Sequence, residues 1–160
     1  MRRRLAIAIG LALMAGPALA QEAVFLIRHA EKAAGDNPPI TEAGRLRAAR
    51  WAEMLAGTGI EQVYTSTARR TMETGAIIAE ALGVETEAVE TGDTAGLLDM
   101  VSFDFEEGRV LVVGHTETIP GILNALGSIE TVEMPLDDFS RLFVVVPGGD
   151  APVVLDMAMP

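Results

Sequence analysis

Two histidines, His29 and His115, are the only imidazoles in the chain, and each follows a short apolar run. Arg28-His29 follows Ala23-Val24-Phe25-Leu26-Ile27, and Gly114-His115-Thr116 follows Val110-Leu111-Val112-Val113. A third polar group, Ser66 to Arg70, follows Glu61 to Tyr64 and opens a helical pattern. Imidazoles and guanidiniums gathered this way suit a tetrahedral oxyanion. Arginine offers a planar fork of donors to phosphate oxygens. Helix N-termini add free N–H groups and partial positive charge.

Those residues need elements that bring them together. Apolar runs without alternation predict strands buried on both faces, as in a parallel sheet. Ligands of such sheets bind beyond the carboxyl ends of the strands. Strands are predicted at Ala23–Ile27, Glu61–Tyr64 and Arg109–Val113. Helices are predicted from Glu42 to about Ala56, capped by Thr41, and from about Ala68 to Leu82, closed by Gly83. A short helix capped by Thr94 runs to about Val101, and another runs from about Ile119 to Leu126. The acidic stretch Val84 to Gly92 reads as a surface crossing. The tail reads as short strands at Thr131–Met134, Arg141–Val146 and Pro152–Met157, polar enough to form a sheet edge. The class is α/β, with parallel strands at the centre of one sheet.

Residues 1–20 read as a signal peptide, with Arg2 to Arg4 as a basic start, Leu5 to Ala15 as an apolar stretch and cleavage after Ala20. The expectation is a periplasmic or secreted protein with no membrane anchor after cleavage. Residues 21–160 form one domain. The chain has no cysteine, which removes disulfides and thiolate chemistry. The leader takes three of the 12 basic residues and none of the 23 acidic ones, leaving −14 on the remainder with His neutral. That charge disfavours nucleic acid and anionic membrane surfaces as partners. Oligomeric state has no signature in the sequence.

Four segments carry a family resemblance. They are Leu26-Ile27-Arg28-His29-Ala30-Glu31, Ile40-Thr41-Glu42-Ala43-Gly44-Arg45-Leu46-Arg47-Ala48, Tyr64-Thr65-Ser66-Thr67-Ala68-Arg69-Arg70-Thr71-Met72-Glu73-Thr74, and Val113-Gly114-His115. In this order they resemble the motifs of the histidine phosphatase superfamily, in its phosphoglycerate mutase-like branch. The resemblance implies a three-layer α/β/α sandwich with a mostly parallel central sheet. It aligns Arg70, rather than Arg69, with the family's phosphate-binding arginine, and Thr74 with its threonine. Three positions depart from the pattern. Ala30 replaces a glycine and so has less backbone freedom. Thr71 replaces an alanine, a change expected to be neutral. Thr116 stands where one branch has an aspartate acid.

The resemblance further implies a phosphomonoester hydrolase acting through a phosphohistidine. His29 would attack phosphorus while Arg28, Arg70 and His115 hold the phosphate oxygens. The implied acid is Glu117 or Asp93, with Glu90 and Glu87 as further candidates. No cofactor and no metal are implied, because cationic side chains neutralise the charge. The expected partner is a small phosphorylated substrate. Two other readings stay open: a phosphotransferase of the phosphoglycerate mutase type, and a phosphate-binding scaffold without catalysis. Arg69 is expected on a solvated helix face, pairing with Glu73. Arg45, Arg47 and Arg50 are expected to be solvated too, Trp51 to lie in the core, and Ser66 to serve as a turn or cap residue.

Overall fold

The computed structural model describes residues 23–105, 108–148 and 151–159. The expected leader, residues 1–20, lies outside the described residues. Six strands form one sheet: β1 (Ala23–Arg28), β2 (Gln62–Ser66), β3 (Glu85–Val89), β4 (Arg109–Gly114), β5 (Arg141–Val146) and β6 (Val153–Ala158). Their spatial order is β3-β2-β4-β1-β5-β6. The first four are mutually parallel; β5 and β6 are antiparallel to their neighbours.

Both faces are covered, which explains the unbroken apolar runs. Helices α1 (Glu42–Leu55) and α2 (Arg69–Leu82) share one cluster with Phe25, Ile27, Leu111 and Val113. Helices α3 (Thr94–Phe105) and α4 (Ile119–Ala125) share the other with Val24, Leu26, Val110 and Val112. Adjacent residues of one strand thus point to opposite layers, and both must be apolar. The three-layer α/β/α arrangement with a mostly parallel sheet is the one the sequence implied. Trp51 is fully buried in the first cluster.

Register sets the site. β1 and β4 align Arg28 with Gly114, and β2 and β4 align Thr65 with Val113. One residue further along each strand, His29, His115 and Ser66 therefore emerge on the same rim. Gly75 lets α2 lie against β2, since a Cβ there would fall 2.5 Å from Thr65 Cγ2. That close approach fixes the start of α2, and with it Arg70. Thr41 caps α1 through Gly44 N, and Gly83 closes α2 in the left-handed region at φ 72°.

Several elements differ from expectation. Val84 to Gly92 contains a strand, β3, on the sheet edge, where acidic side chains face solvent. The cap of α3 is Asp93, whose Oδ1 accepts from Gly96 N; Thr94 is instead the first helical residue, and the helix runs on to Phe105. Thr131–Met134 is not a strand: Val132 and Met134 pack against the α3–α4 cluster without pairing in the sheet. The β6 edge is apolar rather than polar, exposing Val153, Leu155 and Met157.

Candidate active site

His29 and His115 meet at the rim with ring centroids 5.4 Å apart, in an edge-on arrangement. Both are almost wholly buried. His29 Nδ1 lies 2.8 Å from the Ala30 carbonyl, which can only accept, so Nδ1 carries the proton and Nε2 keeps its lone pair. The Ala30 N–H donates to Thr74 Oγ1, whose own hydroxyl donates to the Arg70 carbonyl. The backbone around His29 is thus tied to the first turns of α2. Alanine at position 30 brings no strain, because no described residue other than glycine has a positive φ.

The second imidazole is held on both sides. Arg70 Nη2 is 3.2 Å from His115 Nδ1, and His115 Nε2 is 2.9 Å from Ser66 Oγ. Ser66 in turn meets Thr71 Oγ1 at 2.8 Å, and Thr71 faces the carbonyls of Ser66 and Ala68. Thr71 is fully buried, and the hydroxyl that departs from the family pattern takes part in the hydrogen bonding behind His115. Ser66 does serve its turn, accepting from Ala68 N, but it also orients the imidazole. Sequence reasoning missed that second role, because the partner is 49 residues away.

Arg28 is shared between the rim and a distant segment. Its Nη1 donates to the carbonyls of Leu136 at 2.7 Å and Asp138 at 3.1 Å. Its guanidinium carbon sits 4.0 Å from the centroid of the Phe139 ring, and that ring is 6.1 Å from His29. Nothing local in residues 135–139 signalled this contact. Arg28 Nε and Arg70 Nε are both buried without a hydrogen-bond partner.

Burial pushes both histidines down to a pKa of about 4. For His29 the neighbouring His115, Arg28 and Arg70 push the same way, against the pull of the Ala30 carbonyl. For His115, Arg70 adds to burial while Glu117 opposes it. Burial also lowers the Arg28 guanidinium, against Glu117 and Asp138. The site at neutral pH therefore holds two neutral imidazoles and two guanidiniums.

The carboxylate candidates separate in space. Glu117 is exposed, yet its charge acts on both Arg28 and His115. Asp93 and Glu90 border a cleft of about 330 Å³ that His115, Ser66 and Thr118 also line. Asp93 is engaged as the α3 cap, and Glu90 Oε1 accepts from Thr67. Glu87 is an exposed residue of edge strand β3 and does not line that cleft. Arg69 is exposed and bonds Glu73 at 2.8 Å, as expected. Arg47 is not simply solvated: it pairs with Glu31 and, against the upward push of burial, holds that carboxyl below its usual range. Arg45 likewise lies 3.6 Å from Glu73. Among the described residues, no three of His, Cys, Asp and Glu converge as a metal site would require. No described helix is long and apolar enough to cross a membrane.

Residues 24–91 match the sequence profile of the histidine phosphatase superfamily (branch 1). No curated protein sequence matches the chain. Among solved structures, one similar protein is a candidate phosphohistidine phosphatase, SixA, from Agrobacterium tumefaciens. It superposes with a TM-score of 0.68 at 22% identity, covering 87% of this chain and 99% of that one. Another is a phosphoserine phosphatase from Entamoeba histolytica in complex with 3-phosphoglyceric acid. Its TM-score is 0.67 at 17% identity, with 86% and 97% covered. A mycobacterial glucosyl-3-phosphoglycerate phosphatase complexed with VO3 gives 0.66 at 14% identity, with 86% and 98% covered.

Proposed function

We propose, since this chain belongs to the histidine phosphatase superfamily, that it hydrolyses phosphomonoesters through a phosphohistidine on His29. The observation that carries this reading is the convergence at one rim of two imidazoles, with ring centroids 5.4 Å apart, and the guanidiniums of Arg28 and Arg70. That arrangement fits an oxyanion and leaves one imidazole nitrogen, His29 Nε2, free to attack.

In the first step the His29 Nε2 lone pair forms a bond to phosphorus as the bond to the ester oxygen breaks. Arg28, Arg70 and His115 hold the non-bridging oxygens while charge redistributes. The ester oxygen takes a proton from a carboxylic acid, which we assign to Glu117. Its field reaches Arg28 and His115, whereas Asp93 is engaged at the start of α3. In the second step Glu117 takes a proton from water, the water oxygen bonds phosphorus, the P–N bond breaks and orthophosphate leaves. The Ala30 carbonyl keeps the Nδ1 proton in place throughout, so Nε2 remains the reacting atom.

The structurally similar phosphatases have phosphohistidine, phosphoserine and glucosyl-3-phosphoglycerate in their names. A small phosphorylated substrate is accordingly the reading adopted for this chain. The basic and apolar start of the sequence supports export, which predicts a mature N-terminus at Gln21 on N-terminal sequencing of the exported protein. The enzymatic reading is tested by a screen of phosphomonoesters with the His29→Ala variant as control. Release of orthophosphate by the native protein and none above background by the variant is expected. Equal release by both overturns the proposed nucleophile. Phosphate binding without any turnover supports a scaffold instead.

A further inference from the structure

The hydrogen-bond directions around His115 can be assigned one after another. Arg70 can only donate, so His115 Nδ1 is an acceptor and the ring proton sits on Nε2. Nε2–H then donates to Ser66 Oγ. The hydroxyl of Thr71 lies 2.9 Å from one carbonyl and 2.7 Å from another, so its hydrogen points to a carbonyl. Thr71 Oγ1 is therefore left to accept from the Ser66 hydroxyl. Turning Ser66 around to donate to His115 would require Thr71 to donate to Ser66. Its oxygen would then face two carbonyl oxygens with no hydrogen between them. Thr71 thus locks the direction of the whole chain.

This direction conflicts with anion binding. The nitrogen shared with Arg70 carries a lone pair, and an oxyanion drawn to Arg70 would face it. A neutral ring cannot donate from Nδ1 unless the Ser66 and Thr71 hydroxyls reverse, which the two carbonyls oppose. We propose that His115 takes up one proton at Nδ1 when an oxyanion binds, and that Ser66 and Thr71 are the positioning residues that force this uptake. The inference rests on the phosphohydrolase reading, because it supposes that the anion enters between Arg70 and the two imidazoles. The proton comes from solvent. Nε2–H keeps its bond to Ser66, and the imidazolium gives the anion a charge-assisted hydrogen bond. The charged and titratable groups facing this ring are Arg28, His29, Arg70 and Glu117, with Glu90 and Asp93 across the cleft. Burial and Arg70 keep the His115 ring neutral at pH 7 before the anion binds, so the uptake is measurable there.

Sulfate is the probe, as it carries no titrating proton near neutrality. Titration calorimetry at pH 7 in buffers of different ionisation enthalpy counts the protons taken up with it. About one proton per sulfate is expected, and the affinity should fall about tenfold per pH unit between pH 6 and 8. The same uptake should persist in His29→Asn, which removes the other imidazole. In Thr71→Val, Ser66 can turn to donate to Nε2, so the uptake should drop below about half a proton and the pH slope should flatten. A purely structural role for Thr71 would weaken binding without changing either quantity. In His29→Asn the single remaining imidazole should also show, by ¹⁵N NMR, a proton on Nε2 alone without sulfate and on both nitrogens with it. Sulfate binding without proton uptake, or an unchanged pH slope in Thr71→Val, overturns the inference while leaving the phosphohydrolase reading intact. Failure of the native protein to bind either sulfate or phosphate overturns both.

Discussion

The His29 and His115 rings stand at 63° to one another, with the edge of one turned toward the other. This pairing follows from strand register: Arg28 sits opposite Gly114 in adjacent parallel strands, so the next residue of each leaves the sheet at the same point. Inserting β4 between β1 and β2 is what returns the chain to this point 86 positions later. The consequences for activity can be tested residue by residue.

Arg70 and Arg69 are neighbours with different surroundings. Arg70 reaches His115, whereas Arg69 is exposed and pairs with Glu73 on the helix surface. Arg70→Ala should lower kcat/KM on p-nitrophenyl phosphate by roughly 10²–10³, the usual loss when one stabilising donor is removed. Arg69→Ala should stay within about twofold, as exposed ion pairs contribute little. Equal losses would place the phosphate elsewhere along α2.

Glu117 is tested through the leaving group. A poor leaving group needs protonation and p-nitrophenolate barely does. Glu117→Gln should therefore reduce turnover of an alkyl phosphate by about 10² or more while leaving p-nitrophenyl phosphate nearly unchanged. If Asp93→Asn shows that split instead, the proton comes from the cleft side of His115.

Stability should depend on pH through the same histidines. Folding holds both near a pKa of about 4, below the 6.5 of an unperturbed imidazole. The unfolded chain therefore binds more protons between those values. Stability is full above pH 6.5 and declines as pH falls toward 4. Each ring contributes at most about 1.4 kcal/mol for every pH unit between its folded and unfolded values, less what solvent screening removes. Thermal melts from pH 7 to 4.5 should show this decline in the native protein and a shallower one in His29→Asn/His115→Gln. Parallel curves would mean that the buried rings are not the cause.

Much of this was readable from local chemistry. β1 and β4 announce themselves because burial on both faces demands unbroken apolar residues, and α1 and α2 because Thr41 and Gly83 mark their ends. β3 was hidden, since an edge strand faces solvent and buries only Val89 among its five residues. Thr131–Met134 misled in the opposite sense. Val132 and Met134 pack against the α3–α4 core, which imitates strand alternation without a partner. His29, His115, Arg28 and Arg70 could be placed on one rim, because each follows or precedes a predicted element. The approach of Phe139 to Arg28 could not be foreseen: it depends on a connection after α4 with no regular structure. The Ser66–Thr71 pair was hidden for another reason. Hydroxyls near a helix start ordinarily cap it, and only the position of His115 shows what else they hold.

The most direct measurement is of the covalent intermediate. The native protein, mixed with p-nitrophenyl phosphate and quenched in base within the first turnover, would be digested and the phosphorylated peptide sequenced by mass spectrometry. One phosphoryl group on His29, absent in His29→Ala, is the expected result. Turnover with no label on His29, or a label on His115 instead, would contradict the account.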